Sequence, residues 1–162
     1  MRAGRTGWLG RLNGAVYRVL QVAITVLLAL LLVPVSLQIF SRHIGFIPRY
    51  IWTEEVARFC LVWIIMIGAM IAVRDGTHFD VDVLPKPRTP AGIRAARLVV
   101  HIAIALVALI FLWFGYRFAE FGYDQTSELT GLNMLSIHIA WPIAGVVMLF
   151  FIAERIVSDA AA

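Results

Sequence analysis

The feature that most constrains this chain is a set of long runs without charged residues. Val19–Ser41, Phe59–Val73 and Leu129–Ala153 contain no Asp, Glu, Lys or Arg. A helix needs about 20 mainly apolar residues to cross a hydrocarbon core of roughly 30 Å. A soluble domain has about 25% charged residues, whereas this chain has 15% and a mean hydropathy of +0.86. These runs therefore place the chain in a membrane.

The sequence predicts an all-α membrane protein in which residues 1–162 form a single four-helix transmembrane domain, with short interfacial helical segments. The predicted spans are 19–41, 53–73, 97–116 and 135–153. The first run is too long for the core of a signal peptide and no small-residue cleavage site follows it, so we expect a retained helix. Thr53 and Thr89 are predicted helix N-caps, and Pro90 suits the first helical position after Thr89.

The basic residues are distributed unevenly between the connections. Nine of the 14 Lys and Arg residues lie in segments 1–18 and 74–97, whereas segments 42–52 and 117–128 hold three. Because cytoplasmic loops carry an excess of Lys and Arg, this asymmetry places both termini and the middle connection in the cytoplasm. The net charge of +4 therefore indicates orientation in a bilayer rather than nucleic-acid binding.

The second span has a cluster of charged residues at each end. Glu54 and Glu55 open it, and Arg58 follows at helical spacing, so either acid can pair with the arginine on one face. The uncharged part of this span covers only about 22 Å at helical rise, so these charges lie close to the hydrocarbon boundary. The second cluster consists of Arg74, Asp75, His78, Asp80 and Asp82.

We expect structural and interface roles for these ends. Glu54, Glu55 and Arg58 are predicted to fix the helix at the periplasmic side, and Arg74, His78 and Asp82 at the cytoplasmic side. Trp63 shares a face with other large residues, and Gly68 allows another helix to approach closely. Packing within the chain's own bundle explains Trp63 and Gly68 equally well. The predicted anchors in the headgroup layers are Tyr50, Trp52 and Trp141.

No cofactor or metal ion is predicted. Four-helix membrane anchors often bind haem through two histidines, but the histidines here lie at different depths, and they are His43, His78, His101 and His138. The group around His78 lies in a glycine- and proline-containing connection, which favours a solvated charged turn over a metal site. The single cysteine, Cys60, has no partner for an internal disulfide.

The sequence bears on two other functional classes. The chain has no metal-ligand spacing, no nucleophile beside a base and no phosphate-binding glycine loop, so no enzyme is predicted. A stand-alone proton-coupled exporter is the alternative, because such proteins have four helices and use a carboxylate in the membrane. Glu54 and Glu55 are the acids nearest to a span, although they lie at its end and beside Arg58.

The second span and its flanks resemble the signature of the small, Q-type membrane subunit of tripartite ATP-independent periplasmic (TRAP) transporters. The matching residues are Glu54, Glu55, Arg58, Trp63, Gly68, Ala69, Arg74, Gly76, His78, Val81 and Asp82. In that family a later segment often reads T-x-x-L-x-x-P-M. The corresponding residues are Thr126, Ser127, Leu129, Leu132, Asn133 and Met134, with Asn133 where proline is usual.

This resemblance implies a small subunit that enlarges the static scaffold of a larger transporter in the bacterial inner membrane. A large, M-type permease subunit would carry the substrate and sodium sites and move as an elevator. A periplasmic binding protein would deliver an organic acid, such as a dicarboxylate, a keto acid or a sialic acid. Residues 117–135 are expected to help receive that binding protein. Sodium coupling is expected in the partner subunit, and no cofactor in this chain.

Overall fold

The computed structural model describes residues 8–44, 48, 50–76 and 89–160. Their helices are α1 (Trp8–His43), α2 (Trp52–Asp75), α3 (Pro90–Tyr123), α4 (Leu135–His138) and α5 (Ala140–Ala160). Four segments are long and apolar enough to cross a membrane: Gly10–His43, Trp52–Asp75, Leu98–Tyr123 and Leu135–Ile156. The predicted all-α class with four transmembrane helices is therefore confirmed. The cytoplasmic location of the termini stays a prediction.

Two helices continue well beyond their predicted spans. α1 begins at Trp8 rather than near Val19, and α3 ends at Tyr123 rather than near Tyr116. The predicted spans end where charged residues begin, but a charged side chain does not end a helix once the helix has left the hydrocarbon core. Helices of 36 and 34 residues measure about 50 Å, well above the roughly 30 Å of that core.

The two predicted N-caps had different outcomes. Thr89 accepts a hydrogen bond from the backbone N–H of Gly92 at 3.2 Å, and Pro90 opens α3, as predicted. The prediction for Thr53 was wrong, because α2 begins one residue earlier. Its buried hydroxyl donates to the carbonyl oxygen of Tyr50 at 2.6 Å and accepts from Nε2 of Gln38 at 3.2 Å. Thr53 therefore joins α1 to α2.

α3 and α5 cross at small residues. A Cβ atom added to Gly115 would lie 2.8 Å from the backbone nitrogen of Pro142, and one added to Gly145 would lie 2.7 Å from that of Leu112. Ala108 and Ala144 are fully buried near this crossing. Small residues let helix backbones approach closely in membranes, where packing replaces the hydrophobic driving force. This crossing holds α5 against α3, while α2 packs on α5 and α1 packs mainly on α2.

Candidate functional site

The first turns of α2 contain two acids that point in different directions. Glu54 pairs with Arg58 at 3.6 Å, and both side chains are largely exposed. An exposed ion pair of this kind contributes little to stability. Glu55 is only 8% exposed. Sequence spacing allowed either acid to pair with Arg58, and the structure assigns that pair to Glu54.

Glu55 instead contacts the loop between α3 and α4. The hydroxyl groups of Ser127 and Thr130 face its carboxylate as hydrogen-bond donors, and Oγ of Ser127 in turn accepts from the backbone N–H of Thr130 at 3.3 Å. Hydrogen bonds to a charged group are stronger than those between neutral groups. Oε2 of Glu55 is buried and has no hydrogen-bond partner among the described residues. Glu55 therefore holds the loop on α2, a role that spacing within α2 did not indicate.

The loop from Asp124 to Met134, which we name the α3–α4 hairpin, satisfies much of its own backbone. The N–H of Ser127 donates to the carbonyl of Leu132 at 2.8 Å, and that of Met134 donates to Gln125 at 2.9 Å. Thr126 pairs with Asn133 in an isolated bridge. Gly131 allows the turn because its φ is +69°. These bonds give the hairpin a defined shape beside α2.

Asn133 joins the hairpin to the helices at both of its ends. Its Nδ2 donates to the carbonyl of Tyr123 at 2.9 Å, where α3 ends. Its Oδ1 accepts from the N–H of Leu135 at 2.8 Å, where α4 begins. Proline, which is usual at this position in the resembled family, has no side-chain group that could form these two bonds. Here the side chain of Asn133 links the end of α3 to the start of α4.

Trp63 fastens the start of α4 to the middle of α2. Its indole Nε1 donates to the carbonyl oxygen of Ser136 at 3.0 Å. Glu55 and Trp63 lie about 12 Å apart along α2 at helical rise, so the hairpin runs beside the first turns of that helix. Non-helical backbone close to a bilayer is tolerated where protein satisfies its polar groups. Trp63 and Glu55 supply two of these contacts.

His138 is a buried residue at the end of α4 that packs against α3. It is 7% exposed, and its ring lies 3.9 Å, centroid to centroid, from that of Phe118. Gly122 lies directly against the imidazole, where a Cβ atom would overlap Nδ1. No pattern within α3 or α4 predicts this contact between Gly122 and His138.

The other end of α2 is held by α1. The hydroxyl of Tyr17 donates to Oδ2 of Asp75 at 2.9 Å. The guanidinium of Arg74 lies 3.9 Å from the centre of the Tyr17 ring and 5.9 Å from that of Phe151. A cation over an aromatic face is attracted to the negative face of the ring. Arg74 and Asp75 of α2 thus contact both α1 and α5. His78 and Asp82, which were predicted to act at this end of α2, lie outside the described residues.

Arg155 on α5 completes this end of α2. Gly76 follows the helix with φ of +74°, and its N–H donates to Ala72 at 3.0 Å, which is a left-handed C-cap. The Arg155 guanidinium packs so closely that a Cβ atom on Gly76 would lie 2.5 Å from it. Nη1 of Arg155 also donates to the carbonyl of Val73 at 3.4 Å. The sequence marked neither Tyr17 nor Arg155 as part of this end.

The other predicted residues have mainly packing contacts. Gly68 has room for a methyl group, which would lie 3.8 Å from Cδ1 of Ile24. Trp141 is half-buried and meets the ring of Phe111 edge-on at 5.3 Å. Tyr50 and Trp52 are exposed, with ring centres 6.1 Å apart. Their roles in headgroup layers stay predictions.

The described residues at the two ends of α2 make contacts between helices. Within them, no group of three or more His, Cys, Asp or Glu side chains is placed to hold a metal ion. Three residues of the second charged cluster, His78, Asp80 and Asp82, fall outside the described ranges. The two ends of α2 therefore fix this helix to α1, to the hairpin and to α5.

Several known proteins are similar to this chain. It is 28% identical over 109 residues to a TRAP transporter small permease protein of Haemophilus influenzae, a match that covers 67% of this chain and 66% of that protein. It is 25% identical over 134 residues to the sialic acid TRAP transporter small permease protein SiaQ of Vibrio cholerae, covering 80% and 75%.

A third relative is much longer. The sialic acid TRAP transporter permease protein SiaT of Haemophilus influenzae is 27% identical over 113 residues, which are 70% of this chain but only 18% of that protein. The family model for the DctQ component of tripartite ATP-independent periplasmic transporters matches residues 31–162. This match includes α2, the α3–α4 hairpin and α5. The chain therefore belongs to the DctQ family and is a small permease subunit of a TRAP transporter.

Proposed function

We propose that this chain is the scaffold subunit of a secondary transporter that imports an organic acid with a sodium gradient. It works with a large permease subunit, which carries the substrate and sodium sites, and with a periplasmic binding protein. The complex lies in the bacterial inner membrane, with both termini of this chain in the cytoplasm. Family membership supports the transporter class.

The observation that carries the proposal is the match to SiaT. The matched region is 18% of that protein, so in SiaT it is joined to a polypeptide several times its length. A small chain that corresponds to one part of a larger permease is expected to assemble with a separate large subunit. The contacts that α2 makes with its neighbours support a static role. Glu55 and Trp63 hold it to the hairpin and to α4, and Arg155 of α5 holds its other end.

The names of the relatives support a substrate class. SiaT and SiaQ are named as sialic acid transporters, and a sialic acid is a carboxylate that the binding protein would capture. We propose an organic acid for this chain, with sialic acid as the first compound to test. The α3–α4 hairpin, with Leu129 and Leu132 exposed, is the part of this chain that we propose meets the binding protein.

Co-purification and transport test the proposal. The tagged chain is co-expressed with the large permease subunit, which we expect to be encoded by a neighbouring gene, and the product is purified in detergent and reconstituted in liposomes. We expect a stable complex, and uptake only when the complex, the binding protein and an inward sodium gradient are all present. Failure to recover a large multi-span protein would contradict the scaffold role. Transport by this chain alone would favour the exporter.

A further inference from the structure

Arg117 lies where the uncharged part of α3 ends. Residues 98–116 contain no Asp, Glu, Lys or Arg. They cover about 28 Å at helical rise, which is close to the roughly 30 Å of a hydrocarbon core. Arg117 therefore lies at the edge of the hydrocarbon, on the side of the membrane where the α3–α4 hairpin follows. Glu120 lies about 4.5 Å further out along the helix, in the headgroup layer.

The side chain of Arg117 leans towards the hydrocarbon. Side chains on a helix lean towards its N-terminus, and the N-terminus of α3 lies on the other side of the membrane. The guanidinium lies 6.0 Å from the centre of the Trp113 ring, one turn deeper. Within the described part of the chain no carboxylate forms a salt bridge with Arg117, although Glu120 follows at a suitable spacing. Because an unpaired charge beside hydrocarbon is costly, an anion from outside the chain would stabilise this exposed cation.

Two mainly apolar grooves flank Arg117. The first has a volume of about 550 Å³ and lies between α3 and Trp141 of α5. The second has a volume of about 500 Å³ and runs along α3. Phe114 lines the first groove and Trp113 the second, whereas Arg117 lines both. At 100° per residue these two rings project about 60° and 40° to either side of Arg117, so the arginine lies on the ridge between the grooves.

Both grooves lead from Arg117 towards the middle of the membrane. Ile110 in the first groove and Leu112 in the second lie about 10 Å and 8 Å deeper than Arg117 at helical rise. The grooves are open to the bilayer, since Phe114 and Trp113 are 64% and 66% exposed. One cation at the hydrocarbon edge thus stands above two apolar channels that run inward on either side of it.

This arrangement matches the shape and charge of a phospholipid. Such a lipid has one phosphate at the hydrocarbon edge and two acyl chains that extend inward from it. The planar guanidinium of an arginine binds phosphate through two parallel hydrogen bonds. Glu120 lines the outer part of the second groove, where it faces the group that the phosphate carries. A carboxylate at this point favours an ammonium group, which donates charge-assisted hydrogen bonds.

A transmembrane helix fits this surface less well. A helix is about 10 Å across with its side chains, so it would pack in one groove or lie across the ridge that carries Arg117. To neutralise Arg117 it would also need an acid at the edge of the hydrocarbon, which is costly before the two helices meet. The phosphate of a lipid lies at this depth without that cost.

We propose that Arg117 and the two grooves bind one phospholipid with an ethanolamine headgroup. The guanidinium of Arg117 binds the phosphate, each groove holds one acyl chain, and the carboxylate of Glu120 accepts hydrogen bonds from the ammonium group. The inference needs only the membrane location of α3, so it is independent of the transported substrate and of the large permease.

Native mass spectrometry of the purified chain tests the headgroup. The chain is incubated in detergent with phosphatidylethanolamine and phosphatidylglycerol that have the same acyl chains. We expect one bound lipid, with about 3- to 10-fold more phosphatidylethanolamine than phosphatidylglycerol. Arg117→Gln should lower retention of both lipids at least about 10-fold, whereas Glu120→Gln should remove only the preference. Arg42→Gln is the matched control, because Arg42 is exposed in the last turn of α1, and it should change neither.

Two results of this experiment would overturn the proposal. One is equal retention by the wild-type chain and Arg117→Gln, and the other is no preference between the two lipids in the wild-type chain. Glycerophosphoethanolamine, which has the headgroup but no acyl chains, is added as a competitor. It should not displace the lipid, and displacement would show that the grooves contribute nothing.

A photoreactive phosphatidylethanolamine with a diazirine in its acyl chains tests the position. With the chain in lipid vesicles, we expect labelled peptides from residues 110–121 and from around Trp141, and much less label there in Arg117→Gln. The α1 surface is the internal control, because Leu32 and Val33 are 65% and 61% exposed and meet bulk lipid in both proteins. Label on α3 no greater than that on α1 would contradict the site.

A further variant separates binding from folding. The side chains of Arg117 and Glu120 are exposed, so their variants should unfold at the wild-type temperature in detergent without added lipid. Arg117→Lys keeps the positive charge and should retain more phosphatidylethanolamine than Arg117→Gln does. Equal loss in these two variants would show that the charge at this position does not hold the lipid.

Discussion

Ser127 donates a hydrogen bond to the carboxylate of Glu55, although one residue opens α2 and the other lies in the hairpin between α3 and α4. The neighbouring acid, Glu54, faces outward and pairs with Arg58. Adjacent acids of the same chemistry thus have separate roles, and the difference can be measured.

Glu55→Leu should destabilise the chain far more than Glu54→Gln. Removing the carboxylate leaves the hydroxyls of Ser127 and Thr130 without their acceptor, at a cost of about 1.5–3 kcal/mol. For a chain of this size we expect the unfolding midpoint to fall by roughly 3–10 °C. Glu54→Gln removes only an exposed ion pair and should cost less than about 1 kcal/mol. Thermal unfolding in detergent measures both, and equal shifts would contradict the assigned roles.

Gly145→Val should prevent normal packing of α3 on α5. The first added atom would lie 2.7 Å from the backbone nitrogen of Leu112, and backbone cannot move aside as a side chain can. We expect little folded monomer by size-exclusion chromatography. Gly68→Ala is the control, because a methyl group there would lie at an ordinary distance from Ile24. It should be neutral or more stable by up to about 1 kcal/mol.

Gly76→Ala should cost more than Gly131→Ala. Both glycines have a positive φ, so each alanine carries about 1–2 kcal/mol of backbone strain. At Gly76 the new methyl group also displaces the guanidinium of Arg155, whereas nothing lies within 4 Å at Gly131.

A double-mutant cycle isolates the contribution of the Arg155 contact to the free energy of unfolding. Once Gly76→Ala has displaced the guanidinium, Arg155→Ala should add less destabilisation than it does in the wild-type chain. Fully additive free energies of unfolding would show that Arg155 does not cap α2.

Trp63→Phe should loosen the hairpin while α2 stays folded. The change keeps an aromatic ring but removes the bond from Nε1 to Ser136, which is worth about 0.5–1.5 kcal/mol. We expect faster hydrogen exchange in residues 125–136 and unchanged exchange in the middle of α2. Trp113→Phe is the control, because Trp113 is 66% exposed on α3. Identical exchange in the two variants would argue against this contact.

The spans could be predicted from sequence because hydrocarbon imposes one strong local rule, a long run without charge. Thr89 followed by Pro90 was also sufficient to predict the start of α3. The ends of α1 and α3 were not predictable in this way, because beyond the hydrocarbon core a helix ends where caps and turns end it. Thr53 had the residue type of a cap, but its hydroxyl contacts Tyr50 and Gln38 instead.

The candidate site was predicted only in part, for a physical reason. Helical spacing showed that Glu54 and Glu55 both reach Arg58, but which of them turns inward depends on Ser127, far away in sequence. Tyr17 and Arg155 complete the other end of α2, yet each looks like an ordinary residue near a helix end. Such contacts depend on how helices are arranged, and periodicity within one helix does not contain that information.

The α3–α4 hairpin separates the residues that hold it from those that it displays. Ser127 and Thr130 point to Glu55, while Glu128, Leu129 and Leu132 between and beyond them are exposed. The displayed residues can therefore change without altering the attachment of the loop. In a subunit built in this way, a few surface substitutions can change what the hairpin contacts, with the membrane bundle left as it is.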